Sequence, residues 1–354
     1  MDRKVMLERV SAELDGRQLV WFGTRGDDVE GLGDLPELAA AFSIVSVYEK
    51  RPSIETLALE QLTGERVDLD VYELDEDDRH PEALAELRRR LWHALHRPSV
   101  VMTYRPSDFI ASVTFPRRDR CRYLGLFKDH QTAFDFKPWV ETAVEEMGIP
   151  IVPWQYVVDA DQLLSIPFLE SGPLIVRPSR TTGGVGFSRL EEAEALASLL
   201  DELVSPVAVA PFIEDGVPVN IGAVVWRDGV TLHPASVQLI GIPCLTQRPF
   251  GYCGNDFGAV ARLDPAKFAA MEDAVARIGR WMGARGYRGA FGVDFLVTEE
   301  GPPLFTEVNP RFQGSTHASC QISVERGESC LMLEHLAALL GMEAPSTVSL
   351  LDQT

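Results

Sequence analysis

Basic residues are in short supply in this 354-residue chain: 33 Lys and Arg stand against 53 Asp and Glu, for a formal net charge of −20. Recognition of a nucleic-acid backbone relies on Lys and Arg, so this balance argues against non-specific nucleic-acid binding. It argues equally against docking on anionic lipid. A small phosphorylated ligand held by a few local cations stays compatible, and solubility accounts for the excess acid. Cysteine is sparse too. Cys121, Cys244, Cys253, Cys320 and Cys330 are scattered, and none belongs to a C-x-x-C pair. That pattern is neither a disulfide framework nor a zinc site, and it fits a reducing cytoplasm, the expected location. No apolar run of about 18 residues is present to span a bilayer. The first residues, MDRKVMLERVSAELDG, are charged throughout and do not read as a signal peptide. Internal repeats and low-complexity tracts are absent.

What is present is an ordinary globular composition, 45% hydrophobic and 24% charged. The length suggests two or three domains. Residues 18–23, 42–48 and 99–104 are short apolar runs that read as strands, and 82–96 is a helical pattern stopped before Pro98. Strands alternating with helices predict an α/β unit with a parallel sheet over residues 1–125. Its acidic stretch 68–78 reads as a metal cluster or a solvated loop. Its basic run Arg117, Arg118, Arg120 and Arg122 reads as a phosphate contact or a surface loop.

A second unit, 126–205, opens with an amphipathic helix over 132–147, with Thr132 as N-cap and Gly148 as its end, then an extended IPIVPW. Strand 173–178, a Gly-rich loop, a helix over 190–204 and strand 206–213 follow. A third unit, 206–354, holds strand 219–226, a long Gly/Pro-rich loop over 241–258, a helix over 265–285 and two strands near 290–309. A closing amphipathic helix runs from 331 to 341.

The densest chemistry lies in FGVDFLVTEEGPPLFTEVNPRFQGS, residues 291–315. Two β-rich runs flank EEGPP, so a hairpin is expected. A turn centred between Glu300 and Gly301 sets Asp294 directly opposite Glu307. Asn309 falls on the same face, because side-chain direction repeats every two residues. Val293, Phe295 and Val308 take the apolar face. Like charges directly opposed in a sheet are destabilising, which a cation between them would relieve. All-oxygen ligands suit Mg²⁺. The alternative is an exposed hairpin face with incidental acids.

A second constellation is LIVRPSRTTGGVGFSRL, residues 174–190, where a strand delivers Arg177 into a Ser/Thr/Gly loop. Glycines let backbone N–H groups approach phosphate closely, and Arg adds charge-assisted bonds. The loop is neither G-x-G-x-x-G nor a Walker A sequence. A mobile hairpin loop is the competing reading. Lys137, mid-helix beside Trp139, reads as a phosphate contact or as a solvated helical residue.

Taken in order, these segments resemble the ATP-grasp superfamily of carboxylate–amine ligases over roughly residues 125–320. The order runs from Lys137 to GIPIVP, LIVRPS, the Gly-rich loop, VAVAPFIEDG, D-F-L-V and E-V-N-P-R. The resemblance implies an α/β fold: an N-terminal pre-ATP-grasp α/β domain, then a two-lobed α+β ATP-grasp domain. It implies that Lys137 and Arg177 hold ATP phosphates under a loop carrying Arg180, Gly183, Gly184 and Gly186. Adenine would lie against the hinge Pro211, Phe212, Ile213 and Glu214, bonding the Pro211 carbonyl and the Ile213 N–H. Asp294, Glu307 and Asn309 would bind Mg²⁺, and Arg311 would face the transferred phosphoryl group. The chain departs from the family pattern in places. Arg177 replaces a Lys. Ala210 stands where a hinge Glu is usual. Val217 and Pro218 stand near the usual ribose carboxylate, for which Glu214 or Asp215 are substitutes. Gly292 replaces an Arg two residues before the first metal ligand, and Arg288 and Arg248 are candidates to supply that charge.

The activity implied is ATP-dependent ligation. A substrate carboxylate takes the γ-phosphoryl group to give an acyl phosphate and ADP, and an amine then forms the amide and releases phosphate. Gln313, Ser315 and His317 follow the metal hairpin as substrate contacts. His317 reads as a general base or as a structural histidine. Arg248, on the long loop with Gln247, Asn255 and Asp256, is the candidate for the substrate carboxylate. The expected partners are a small-molecule carboxylate and an amine, an amino acid or short peptide, with a homodimer as the commonest soluble oligomer. The alternatives are a small-molecule kinase on the same fold and a nucleotide-binding module without catalysis.

Overall fold

The computed structural model describes residues 1–46, 54–67, 74–76, 79–158, 162, 166–169, 172–179, 186–192, 195–196, 206–346 and 348–353. The first sheet is made of β1 (Gln18–Arg25), β2 (Leu38–Val45), β3 (Glu55–Ala58), β4 (Ser99–Thr103) and β5 (Cys121–Tyr123), in the order β3-β2-β1-β4-β5. Every pairing is parallel. Such strands are buried on both faces, which is why they read as apolar runs and not as alternating ones. Val20 and Phe22 pack with Leu87 and Leu91 of the helix Pro81–Ala94 on one face. Leu19 and Trp21 pack on the other face with Met6 and Val10 of the helix Arg3–Leu14. That second core also takes in Leu333 and Leu336 from the helix Leu331–Leu340 near the far end of the chain. The first sheet is thereby seated on the rest of the molecule.

A four-stranded antiparallel sheet follows: β6 (Gln155–Val157), β7 (Leu174–Pro178), β8 (Ser188–Leu190) and β9 (Val207–Pro211), ordered β6-β9-β7-β8. A five-stranded antiparallel sheet then collects β10 (Val217–Val225), β11 (Val230–Ile240), β12 (Tyr252–Asp256), β13 (Gly289–Val297) and β14 (Leu304–Asn309) in the order β12-β11-β10-β13-β14. Its strands alternate. Val219, Ile221, Val293 and Phe295 join Phe268, Val275 and Ile278 of the helix Pro265–Ala284 in one core. Asn220, Asp294, Glu307 and Asn309 fall on the opposite face, toward a cleft.

Several expectations are corrected. The helix expected over 132–147 is two, Lys128–Ala133 and Lys137–Glu146. Pro138 is the reason: in a continuous helix its missing N–H and its ring would break the ladder, whereas in a first turn that N–H has no partner to lose. Thr132 is accordingly no N-cap, and its hydroxyl donates back to the Lys128 carbonyl at 2.6 Å. Gly148 does end the helix, at φ +70°. Strand β11 was not anticipated, because Pro234 interrupts its pattern. A bulge opposite Ile221–Ala223 accommodates it. The stretch 241–258 is not all loop, since it contains β12. The helix expected over 190–204 falls mostly outside the described residues; residues 195 and 196 within it are helical, while its first position, Leu190, ends strand β8.

Candidate active site

The hairpin of β13 and β14 pairs Asp294 with Glu307, Val293 with Val308 and Gly292 with Asn309. Nearer the turn the partners are Phe295 with Phe305 and Leu296 with Leu304, so a bulge lies between the turn and the site. It leaves Thr306 as the extra residue and brings the two carboxylates opposite each other. Asn309 donates through Nδ2 to Asp294 at 3.1 Å and to Glu307 at 3.4 Å. Asn220, from neighbouring β10, donates to the other Asp294 oxygen at 2.5 Å, and the Ser315 hydroxyl donates to Asn220 at 2.9 Å.

Lys137 comes to this face through the short extended piece after its helix. Residue 151 bridges to Phe305, the Phe305 N–H donates to the Pro150 carbonyl at 2.8 Å, and the Val152 N–H donates to the Phe305 carbonyl at 3.1 Å. The helix Lys137–Glu146 is thus pinned to β14. Lys137, in its first turn and not mid-helix, is buried and donates to Glu307 at 2.5 Å. Burial and the facing Glu307 push the Asp294 carboxyl well up. Burial acts on Glu307 in the same direction, but the Lys137 ammonium together with Arg177 and Arg311 outweighs it and holds that carboxyl low. Arg311 donates to the Asn309 side-chain oxygen at 3.1 Å.

One turn along the same helix, Glu141 accepts from buried Arg177 and from the Tyr156 hydroxyl, the latter at 2.5 Å. The Arg177 guanidinium lies 4.2 Å from the centre of the Trp154 ring. Its Nη1 and the Trp154 Nε1 are buried donors without a hydrogen-bond partner. Both residues line a cleft of about 710 Å³ between the sheets, within the size range of small-molecule sites.

At one end of the cleft, Pro211, Phe212, Ile213 and Glu214 meet Ile175 and Leu296. The Phe212 N–H is already donated to the Pro173 carbonyl at 2.8 Å. Glu214 is paired with Arg189 at 2.9 Å, and that guanidinium stacks over Phe212. Phe250, from the loop before β12, touches the Phe187 and Phe212 rings and covers this end. Gly186 adopts φ +76° beside Pro178. Arg180, Gly183 and Gly184 lie outside the described residues.

The other end takes residues from the carboxyl ends of β1 and β4, where the first sheet's strand order reverses, the usual ligand crevice of such sheets. Arg25, Asp28, Tyr104 and Arg105 line the cleft there, opposite Gln313 and Ser315. Three expected contributors are placed elsewhere. His317 is on the helix Thr316–Glu325, 3.8 Å from Glu30, and does not line the cleft. Arg248 is on the covering loop but is not among the lining residues, although its neighbours Pro249 and Phe250 are. Arg288 is held by the Gly283 and Tyr287 carbonyls, away from the cleft.

A family model described as the ATP-grasp domain matches residues 150–315. The chain carries an ATP-grasp domain. The formate-dependent phosphoribosylglycinamide formyltransferase of Erythrobacter litoralis is 24% identical over 215 residues, 59% of this chain and 52% of that protein. The chain spans about half the length of the curated relatives it matches. Among solved structures, biotin carboxylase from Campylobacter jejuni has a TM-score of 0.65 at 13% identity, covering 93% of this chain and 72% of that one. The L-amino acid ligase from Bacillus licheniformis has a TM-score of 0.59 at 17% identity, covering 90% and 74%. These likenesses show the fold, an N-terminal α/β domain followed by the ATP-grasp domain.

Several residues in or beside the cleft gave no clear signal beforehand. Glu141 is four residues after Lys137, a spacing that puts both on one helix face. Asn220 alternates with Val219 and Ile221 in an otherwise apolar strand. Arg25, Asp28, Tyr104 and Arg105 follow strand ends, where loop residues are disproportionately functional. No helix among the described residues is long and apolar enough to cross a membrane.

Proposed function

We propose that the protein is an ATP- and Mg²⁺-dependent ligase that joins a small carboxylate to an amine, releasing ADP and phosphate. The observation that carries this is the opposed pair Asp294 and Glu307, flanked by Lys137 and Arg311, beside two buried donors that lack partners. Those donors, Arg177 Nη1 and Trp154 Nε1, match the acceptor-rich phosphates of ATP. Two carboxylates and one amide oxygen are a short ligand set, of the kind that holds Mg²⁺ together with substrate phosphates. Asn309 would turn its side-chain oxygen inward to complete it.

Bound there, Mg²⁺ would stabilise charge on the transferring phosphoryl oxygens. The chain's own groups do the rest. Lys137 and Arg177 orient the phosphates, and the hinge from Pro211 to Glu214 takes the base. Arg311 faces the phosphoryl group as it passes to the substrate carboxylate. The amine then attacks the resulting acyl phosphate from the side walled by Arg25, Asp28, Tyr104 and Gln313. An amino acid or short peptide is the substrate class we favour. The paired charges of Arg25 and Asp28, 2.9 Å apart, offer one partner each to a carboxylate and an ammonium.

The test is ADP and phosphate release with ATP, Mg²⁺ and an amino-acid pool, each member omitted in turn, with product mass spectrometry. ADP formation that needs two substrates and yields a new amide supports the ligase. A stable phosphorylated product would replace it with a kinase. The control is Glu307→Gln, expected to be inactive.

A further inference from the structure

The cysteines are scattered in sequence, but the fold brings two of them together. Cys320, on the helix Thr316–Glu325, and Cys330, at the N-cap of the helix Leu331–Leu340, are both buried. Their side chains interact directly. Both close on Gly31, in the 3-10 helix Gly26–Leu32. A Cβ built on Gly31 would lie 3.3 Å from the Cys320 Sγ and 3.2 Å from the Cys330 Sγ. The Cys330 thiol donates to the Gly31 carbonyl at 3.4 Å. The same segment carries Asp28, which lines the cleft, and Glu30, which accepts from Gln321 at 2.6 Å. One short piece of chain thus joins the two thiols to the cleft wall.

Cys330 has the surroundings of a reactive thiol. Its Sγ accepts from the Arg3 Nη1 at 3.6 Å. It also caps a helix N-terminus, where partial positive charge gathers. Cys320, the Leu333 N–H and Arg3 hold the Cys330 thiol below the usual range, while burial holds Cys320 above it. One thiol is thus set to ionise first, with the other protonated beside it. The way to solvent is short: the Arg3 guanidinium also donates to Asp34 at 2.8 Å, and that side chain is 62% exposed. We propose that Cys330 and Cys320 form an oxidation site, an attacking and a resolving thiol that a peroxide closes to a disulfide. The Cys330 thiolate attacks one peroxide oxygen, which breaks the O–O bond and gives a sulfenic acid and hydroxide. The Cys320 sulfur then attacks the sulfenic sulfur, and the hydroxyl leaves as water with the Cys320 proton. Two thiols lose two electrons, and the peroxide becomes two waters. Closure removes the S–H that the Gly31 carbonyl accepts and draws the sulfurs to about 2.05 Å. The segment Gly26–Leu32, Asp28 included, therefore resettles. The assignment stands whether or not the chain is a ligase.

The test uses the intact protein, reduced, exposed to hydrogen peroxide, then unfolded in N-ethylmaleimide and digested with trypsin without reductant. Cleavage after Arg311 and Arg326 puts Cys320 and Cys330 on separate peptides. Mass spectrometry should find those two joined, two hydrogens lighter than their sum, and dithiothreitol should release them. In Cys320→Ala the same dose should instead carry Cys330 on to sulfinic acid. An unmodified Cys330 in that variant would show that it is not the attacking thiol. Backbone hydrogen exchange over residues 26–32 should change by about threefold between reduced and oxidised wild type, and dithiothreitol should restore it. If both thiols stay blocked by maleimide while the exposed Cys244 is oxidised, the buried pair is inert and the proposal falls. A joined peptide with unchanged exchange over 26–32 would overturn the link to the cleft wall.

Discussion

The Gln313 carboxamide lies where a side chain on residue 292 would have to be: a Cβ built on Gly292 would come within 1.8 Å of its Oε1. Gly292 shares a strand face with Asp294 and pairs with Asn309. The position next to the carboxylates, where the superfamily resemblance leads one to expect an Arg, is thus filled from elsewhere by a neutral amide. Gly292→Ala should expel that amide. The displaced atoms end a flexible side chain, so the fold should survive at a cost of about 1 kcal/mol. Substrate-dependent ADP release should fall at least tenfold. Gln313→Ala should give a similar loss, and the double variant should be no worse than either alone, as expected for one shared interaction. Additive losses measured by steady-state kinetics would show that the two positions act separately.

Glu141 and Arg177 form a buried pair, 4% and 1% exposed. Breaking such a pair leaves an uncompensated charge at a cost of about 3–5 kcal/mol. Glu141→Ala should therefore lower the unfolding free energy by that order in urea titration, and should weaken ATP binding because Arg177 loses its anchor. Arg177→Lys keeps the charge but not the planar fork or the stacking on Trp154. It should retain most of the stability and lose nucleotide affinity. A Glu141→Ala variant as stable as wild type would contradict the buried pair.

The geometry of the carboxylate hairpin was legible beforehand because strand alternation and one turn fix which residues share a face. Asp294 and Glu307 meet as expected even though the turn lies half a residue from its expected centre, and the bulge at Thr306 makes up the difference. Lys137 and Arg177 were legible as cations in a recognisable order, but not as partners of Glu307 and Glu141. Those contacts depend on the piece 150–152 hydrogen-bonding to β14, a tertiary event without local signature. The end of the cleft formed with the first sheet was least legible. Its residues come from strand ends more than 75 positions apart, Arg25 and Tyr104, and only the parallel sheet brings them together. Arg248 and His317 were plausible by proximity in sequence to site segments, and proximity does not aim a side chain. Strand β11 was hidden by Pro234, which a propensity argument penalises and a bulge tolerates.

Lys137 is the cation against Glu307 in this structure, and Mg²⁺ is proposed to sit between the same carboxylates. Lys137→Met leaves Asp294 and Glu307 facing each other with less compensation. Without divalent ions its Tm should fall below wild type by several degrees, a cost of about 2 kcal/mol. Mg²⁺ should then raise Tm more in Lys137→Met than in wild type, because the ion supplies the missing positive charge. Calorimetric scans with EDTA and with Mg²⁺ check this. An equal Mg²⁺ response in both proteins would place the metal elsewhere.

His335 gives the molecule a pH dependence with a definite sign. Burial pushes its pKa down to about 3, against an ordinary value of 6.5. The folded state therefore keeps the imidazole neutral over a range in which the unfolded chain takes up a proton. Where the unfolded state binds more protons, stability falls as pH falls. The stability tied to neutral His335 is complete above 6.5 and is lost progressively as pH drops from 6.5 towards 3. His335→Asn retains an oxygen to accept the Ala290 N–H but does not titrate. Its Tm should decline less than that of wild type between pH 7 and pH 4, while the two differ little in slope above pH 7. Parallel Tm profiles across that acid range would mean that His335 is protonated as readily in the fold as in the unfolded chain, and that its ring is not confined between Phe312 and the Ala290 N–H.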